Sequence, residues 1–188
     1  RYGEGEKRRL HEMIDQGISY AEIKQFEKEW TDYTSAPFVK AHMNGSSALT
    51  SMYFALSLDV PAGSEVLVPS YTFFSACLAM RFSNLVPVFV DIDPKTACFD
   101  LEDAKRKLTP RTVAVEVMHS WGLPCEMDHI FGWAKEKGLL TLEDASHAHG
   151  ATMQGKKIGA WGDMAALSLQ SSKPLPALEG GIGMYKTR

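Results

Sequence analysis

From residue 44 onward the chain alternates short apolar runs with segments that have helical spacing. Five runs rich in Val, Ile, Leu or Phe lie at 65–70, 86–92, 112–120, 139–145 and 165–170. Segments suited to helices lie at 47–58, 72–82, 101–108 and 127–138. Apolar strands that alternate with helices are typical of a parallel sheet with crossover helices. The pattern therefore predicts an α/β fold.

The first part of the chain has a different pattern. It is charged, and its apolar side chains recur at helical spacing: Leu10, Met13, Ile14, Ile23, Phe26 and Trp30. This spacing predicts one or two amphipathic helices that pack on a larger body. We therefore divide the chain into an N-terminal helical segment, 1–43, and a main domain, 44–188.

The amino-acid composition argues against two classes of partner, nucleic acids and membranes. Hydrophobic residues make up 45% of the 188 residues, which is enough for one substantial core. The net charge is only −3, and the basic residues are scattered, so we expect neither a nucleic-acid partner nor a polybasic membrane patch. No apolar run approaches the roughly 20 residues of a membrane helix. Three widely spaced cysteines without a C-x-x-C pair fit a reducing cytoplasm.

Open α/β sheets bind ligands beyond the carboxyl ends of their strands, so the candidate residues are sought there. Gly45, Ser46 and Ser47 open a helical segment, where free backbone amides and hydroxyls can hold a phosphate. Ordinary N-capping by Asn44 or Ser46 is the alternative. The segment has neither G-x-G-x-x-G nor G-K-[ST], so neither a dinucleotide fold nor a P-loop is indicated.

Asp144 ends the apolar run 139–145 and is followed by two histidines. An acid at the end of a buried strand needs a partner, because an unpaired buried carboxylate is costly. A cation is the expected partner of Asp144. Two alternatives stay open: a cap of the next loop, and a metal cluster of Asp144, His147 and His149.

Two further side chains complete the candidate set. Phe73 lies where a strand meets a helix, and it either presents a flat face to a planar ligand or belongs to the core. Lys173 follows the run 165–170 and precedes Pro174. An amine in low-dielectric surroundings can attack a carbonyl and form a Schiff base, although a lone Lys is usually a solvated surface charge. Together, a phosphate seat, an aromatic face, a buried acid and an amine are the parts that hold pyridoxal phosphate.

The order of several short motifs resembles one known family. They are FEKEW, NGSSAL, VLVPSYTF, PVFVDIDPKT, LTPRTVAV, EDASHAHGA, GAWGD and LSLQSSK with EGG. In this order they are similar to the DegT/DnrJ-like aminotransferases, fold type I enzymes that depend on pyridoxal phosphate and mostly aminate keto groups of nucleotide-linked sugars. The resemblance implies a three-layer sandwich with a mostly parallel central sheet, the large domain of that fold.

The resemblance also implies roles for three residues. Lys173 corresponds to the lysine that forms the internal aldimine and later moves protons as general acid and base. Asp144 would pair with the pyridine nitrogen and keep it protonated. His147 matches a position near the ring hydroxyl.

Four more residues correspond to cofactor contacts of the family. Phe73 falls where the family has an aromatic that stacks on the ring. Ser46, Ser47 and Ser168 match contacts to the phosphate.

The chain departs from the family pattern at several places. Leu178 occupies a position that is commonly Gly, and Pro174 and Pro176 replace a usual polar pair. Glu116 places a charge in a run that is expected to be buried. The family's polypeptides are roughly twice this long, which implies a chain truncated before the small C-terminal domain. They also build each active site between two subunits, which implies a homodimer.

The sequence thus predicts an aminotransferase that moves an amino group from an amino-acid donor such as glutamate to a ketosugar. A sugar dehydratase that uses the same cofactor is an alternative within the family. A non-catalytic or regulatory protein that binds the cofactor is another. A metal-dependent hydrolase would instead use His119, Asp144, His147 and His149.

Overall fold

The computed structural model describes residues 2–17 and 19–187. Six α-helices lie within these residues: α1 (Glu4–Gln16), α2 (Tyr20–Thr34), α3 (Gly45–Leu58), α4 (Phe74–Phe82), α5 (Leu101–Lys107) and α6 (Met127–Glu136). The strands in the same residues are β1 (Phe38–His42), β2 (Glu65–Pro69), β3 (Val86–Val90), β4 (Thr112–Met118), β5 (Leu140–Asp144), β6 (Thr152–Met153), β7 (Lys156–Lys157), β8 (Met164–Ser168) and β9 (Gly181–Tyr185).

Seven strands form one sheet in the order β1, β9, β8, β5, β4, β2, β3. From β8 to β3 every neighbouring pair is parallel, whereas β9 is antiparallel to both β1 and β8. The five apolar runs of the sequence form β2, β3, β4, β5 and β8. The predicted α/β fold with a mostly parallel sheet is confirmed.

Helices cover both faces of this sheet. On one face α3 and α4 pack their buried side chains against a cluster that includes Val66, Ala114 and Leu142. On the other face α5 and α6 bury Ala104 and Ile130 against the sheet. Apolar residues that alternate along each strand therefore face two separate cores, which gives three layers.

The N-terminal segment is built differently from the expectation in two respects. It contains β1, which pairs only with β9 at the sheet edge. Helix α2 packs Trp30 against the sheet, as the spacing predicted. Helix α1 has no buried residue, and its Leu10 and Ile14 are exposed.

The parallel strands bring their carboxyl ends to one edge of the sheet. Met118 at the end of β4 is in register with Asp144 at the end of β5, and Asp144 is in register with Ala166 of β8. The first turn of α3 lies at the same edge, against Ser168. None of the described helices is long and apolar enough to cross a membrane.

Candidate active site

A cavity of about 580 Å³ opens at this edge of the sheet. Six of the seven site residues predicted from the sequence line it: Ser46, Phe73, Asp144, His147, Ser168 and Lys173. These residues come from α3, from the segment before α4, and from the last residues of β5 and β8 and the loops that follow them. The fold therefore gathers side chains that are far apart in sequence.

The end of the cavity at α3 is shaped by a capping box. Asn44 Oδ1 accepts a hydrogen bond from the Ser47 amide at 2.9 Å, and Ser47 Oγ accepts one from the Asn44 amide at 3.0 Å. The amides of a helix's first turn have no acceptor within the helix. Since Asn44 accepts from Ser47 and Ala48, the amides of Gly45 and Ser46 are left to line the cavity.

Ser47 is the predicted site residue that does not line the cavity. Its amide and its hydroxyl are both bonded to Asn44, and the hydroxyl also donates to the Asn44 carbonyl at 2.8 Å. In this geometry Ser47 stabilises the helix start. Its role in phosphate binding remains a prediction.

Asp144 lies at the floor of the cavity and is only 2% exposed. Its Oδ1 accepts a hydrogen bond from the Ser146 amide at 3.0 Å, which orients the carboxyl group. Among the described residues no cation is paired with it. The carboxyl group can therefore receive a cationic or N–H group from a ligand.

His147 stands beside Asp144 on the cavity wall and is half-buried. Its ring lies 5.7 Å from the ring of Trp121, centroid to centroid, at 30°. Burial lowers the pKa of His147, and the nearby Lys173 lowers it further, while Asp144 opposes the shift. The imidazole is thus neutral near pH 7. Its Nδ1 accepts a long hydrogen bond from the Trp121 amide, at 3.5 Å, which leaves the proton on Nε2.

Phe73 precedes α4 and is 55% exposed, so it is not a core residue. Its ring lies 4.5 Å from that of Phe74, centroid to centroid. The alternative that Phe73 belongs to the core does not hold in this structure. An exposed ring on a cavity wall can stack on a planar ligand.

Lys173 lies five residues after the end of β8, in the loop that leads to β9. A turn in which its amide donates to the Gln170 carbonyl at 2.8 Å holds its backbone. The loop is closed at its base, where the Leu169 amide donates to the Gly180 carbonyl at 2.8 Å. The side chain is half-buried and lines the cavity.

The histidines proposed for a metal cluster are not assembled. His119 is fully buried and does not line the cavity. Its Nε2 lies 3.2 Å from Glu143 Oε2, and its Nδ1 accepts from the Cys125 amide at 3.2 Å. Within residues 2–17 and 19–187 no group of His, Cys, Asp and Glu side chains has the arrangement of a metal site. The metal-dependent hydrolase therefore lacks support.

Several cavity residues were not predicted from the sequence: Thr72, Trp121, Gln170 and Glu179. Trp121 is the most conspicuous, because it is 78% exposed and has a left-handed backbone with φ 56°. Its position directly after a predicted strand end was the available signal. The cavity thus combines an amine, a carboxyl group, a neutral imidazole, aromatic faces and a helix N-terminus.

Comparison with known proteins identifies the family of the chain. The sequence pattern of the DegT/DnrJ/EryC1/StrS aminotransferase family matches residues 2–186. The chain belongs to this family. The family resemblance inferred from the motifs is confirmed.

Two curated relatives show how much of the length of a family member this chain spans. GDP-perosamine synthase of Caulobacter vibrioides is 38% identical over 160 residues, which are 85% of this chain and 43% of that protein. The 3-amino-5-hydroxybenzoate synthase of Amycolatopsis mediterranei is 35% identical over 98% of this chain and 48% of its own length. The chain spans less than half the length of these relatives.

A solved structure gives the same picture of the fold. The E. coli GDP-4-keto-6-deoxy-D-mannose-3-dehydratase with bound hydrated PLP superposes with a TM-score of 0.93 at 25% identity. The match covers 99% of this chain and 49% of that one. In that protein, then, a fold of this kind holds pyridoxal phosphate.

Proposed function

We propose that this protein is an aminotransferase that uses pyridoxal phosphate to move an amino group from an amino acid, expected to be glutamate, to a keto group of a nucleotide-linked sugar. One observation carries the proposal. Lys173 and Asp144 line the same cavity, and the N-terminus of α3 forms one of its ends. Few cofactors other than pyridoxal phosphate require an amine, an acid and an anion seat together.

The residues present fit this cofactor. The amine of Lys173 is the group that would bond to its aldehyde carbon, and the carboxyl group of Asp144 would face its ring nitrogen. The amides of Gly45 and Ser46 and the hydroxyl of Ser168 would hold its phosphate, assisted by the dipole of α3. Bound there, the cofactor supplies an electron-withdrawing ring that stabilises negative charge on a neighbouring carbon.

The chain's own groups then perform distinct tasks. Asp144 would accept a hydrogen bond from the ring nitrogen and hold a proton there. Lys173 would take and return a proton at its Nζ atom. His147 would donate a hydrogen bond from Nε2 to the ring hydroxyl, and the Phe73 ring would exclude water from one wall of the cavity.

The sugar substrate is supported by relatives and not by the cavity alone. GDP-perosamine synthase, 38% identical, carries a nucleotide-linked aminosugar in its name. The 35% identical 3-amino-5-hydroxybenzoate synthase has a name with no sugar in it. A ketosugar acceptor is therefore part of the proposal, to be decided by assay.

We also propose a homodimer. Helix α4 presents Phe74, Leu78 and Phe82 at i, i+4 and i+8, and they are 63%, 45% and 77% exposed. An apolar stripe of this kind beside a cavity is typical of a protein interface. Sedimentation of the Phe82→Glu variant should show a monomer where the unchanged protein is a dimer, and an unchanged dimer would contradict the assignment of this stripe.

Three free cysteines support a cytoplasmic location.

The experiment on the cofactor is spectroscopic. Purified protein mixed with pyridoxal phosphate should develop the visible absorption of a lysine-bound cofactor. The Lys173→Ala variant should lack it, and the Lys24→Ala variant, altered at an exposed position of α2, should keep it. A band that survives in Lys173→Ala, or never forms in the unchanged protein, would contradict the proposal.

The assay on the reaction separates two activities. Transfer of labelled nitrogen from glutamate to a ketosugar is the expected result. The dehydratase alternative is favoured by the structural likeness already described, at 25% identity. Loss of a hydroxyl group from the sugar with no transfer of label would identify a dehydratase instead.

A further inference from the structure

Glu116 is fully buried in the middle of β4, and neither of its carboxyl oxygens has a hydrogen-bond partner among the described residues. Glu143 on the neighbouring strand is equally buried but differs completely in its contacts. It accepts from the Gly159 amide at 2.7 Å and the Gly162 amide at 2.5 Å, and it lies 3.2 Å from His119. Glu143 has the bonds that a buried carboxylate needs, and Glu116 has none of them.

The surroundings of Glu116 are mostly apolar. It shares a strand face with Ala114, which belongs to the cluster under α3 and α4. The same cluster includes Val66 and Val68 from β2 and Ala76 and Met80 from α4. The titratable groups on this side are Asp144 of β5, whose charge acts on Glu116, and Tyr53 of α3, which belongs to the same cluster. Among the described residues no Lys, Arg or His is paired with Glu116.

The strand register places Glu116 directly behind the cavity floor. Met118 is in register with Asp144, and Glu116 lies two residues earlier on the same face of β4. Strand spacing and rise then put the Cα atoms of Glu116 and Asp144 about 8 Å apart. Burial raises the pKa of Glu116 well above its ordinary value, and the negative charge of Asp144 raises it further.

We propose that Glu116 is a positioning residue of the cavity: it holds a proton in the interior and so adds no negative charge behind the Asp144 carboxyl group. The consequence for catalysis rests on the proposed function, in which Asp144 faces the cofactor's ring nitrogen. A neutral Glu116 leaves that pairing to Asp144 alone. The protonation itself is a property of the unloaded protein.

The first test is infrared spectroscopy of the unloaded protein at neutral pH. A carbonyl stretch of a protonated carboxylic acid should be present, and the Glu116→Gln variant should lose it. The control is Glu65→Gln, because hydrogen bonds from Thr109 and Arg111 lower the pKa of buried Glu65, so that it contributes no such band. A band that is absent from the unchanged protein, or retained in Glu116→Gln, would overturn the proposal.

The second test asks whether Glu116 is coupled to Asp144. In the Asp144→Asn variant the Glu116 band should disappear at a pH about one unit lower, because the like charge has been removed. If the band titrates at the same pH in both proteins, Glu116 is only a structural acid and the positioning role is wrong. This readout needs no cofactor, so it is independent of the Lys173→Ala experiment.

The third test uses the loaded protein. If Glu116 is neutral, Glu116→Gln should preserve the cofactor's visible band and the pH at which that band changes. A shift in that pH would show that Glu116 carries a charge in the working site, against the proposal. Failure of the unchanged protein to bind cofactor would overturn the proposed function and leave the infrared results standing.

Discussion

Gly45 and Ser168 are in direct contact across the end of the cavity. A Cβ atom built on Gly45 would lie 2.6 Å from the Ser168 Cβ and 3.1 Å from its Cα. The first turn of α3 therefore packs against the end of β8 with no room for a side chain. This contact places the helix amides and the Ser168 hydroxyl at one end of the same cavity.

Gly45→Ala should separate these two elements. Overpacking of this kind costs about 1–3 kcal/mol of unfolding free energy. The affinity for pyridoxal phosphate should fall as well, because the proposed phosphate seat is displaced. Denaturant titration and cofactor titration measure the two effects.

The matched control is Gly132→Ala on α6, where an added Cβ meets nothing within 4 Å. The free energy of unfolding of that variant should rise by about 1 kcal/mol, since Ala is a better helix former than Gly. If the two variants had the same free energy of unfolding and the same affinity for the cofactor, the contact between Gly45 and Ser168 would affect neither stability nor binding.

Asp144→Asn should leave the fold intact and remove the acid at the cavity floor. We expect amino transfer to fall by about 100-fold, the usual effect of losing one electrostatic contact to the reacting group. Steady-state kinetics with glutamate and a ketosugar measure it. Asp59→Asn, at an exposed helix end, should have full activity. If the Asp144→Asn variant kept its activity within a few-fold of the unchanged protein, Asp144 would not be a functional residue of the site.

The buried acid of β4 also predicts a pH dependence of stability. The pKa of Glu116 is raised in the folded protein. The stability that Glu116 contributes to the folded state is therefore fully present below the unfolded pKa, near 4.3, and is lost as pH rises through the folded pKa. The free energy of unfolding falls by at most about 1.4 kcal/mol for each pH unit. Urea denaturation at pH 5, 6 and 7 should show that Glu116→Gln reduces this decline. Identical slopes in the two proteins would mean that Glu116 is ionised when folded.

Leu178 has a strained backbone, with φ at 63° and a side chain that is 70% exposed. A non-glycine residue in this conformation costs about 1–2 kcal/mol. Leu178→Gly should relieve the strain, lose little burial and raise the free energy of unfolding by up to about 1 kcal/mol after the entropy cost of glycine. Thermal unfolding measures the change.

Leu175 in the same loop provides the control. It is 45% exposed and its φ is not positive, so Leu175→Gly should lower the stability by about 0.5–1 kcal/mol. A loss of stability in both variants would show that Leu178 makes contacts that outweigh its strain.

The sheet was predictable where strands are buried on both faces. Such strands, for example β2 with all five residues buried, appear as apolar runs in the sequence. Strand β1 was missed because it is an edge strand with one fully buried residue, and its FVKAH sequence has a Lys at the centre. Helical spacing likewise predicted α1 but not the exposure of Leu10 and Ile14, because spacing identifies a face and not its partner.

The site was predictable to the extent that it follows from strand ends. Asp144 and Ser168 end buried strands, Lys173 follows one, and all three line one cavity. The place of Trp121 after a predicted strand end was a signal, but the direction of its side chain depends on a left-handed backbone in the turn after β4, which the sequence does not show. The hydrogen bonds of Ser47 were equally undecided, since a serine at a helix start caps the helix or binds an anion with the same atoms.

The pairing of β1 with β9 has a consequence for the order of events during protein synthesis. Residues 38–42 leave the ribosome long before residues 181–185, and β9 is the strand to which β1 is bonded. Until β9 is made, β1 lacks its sheet edge and the loop that carries Lys173 lacks the Gly180 carbonyl that closes its base. We therefore expect the nascent chain to assemble the central parallel strands first, and to dock its N-terminal segment and close the candidate active site together.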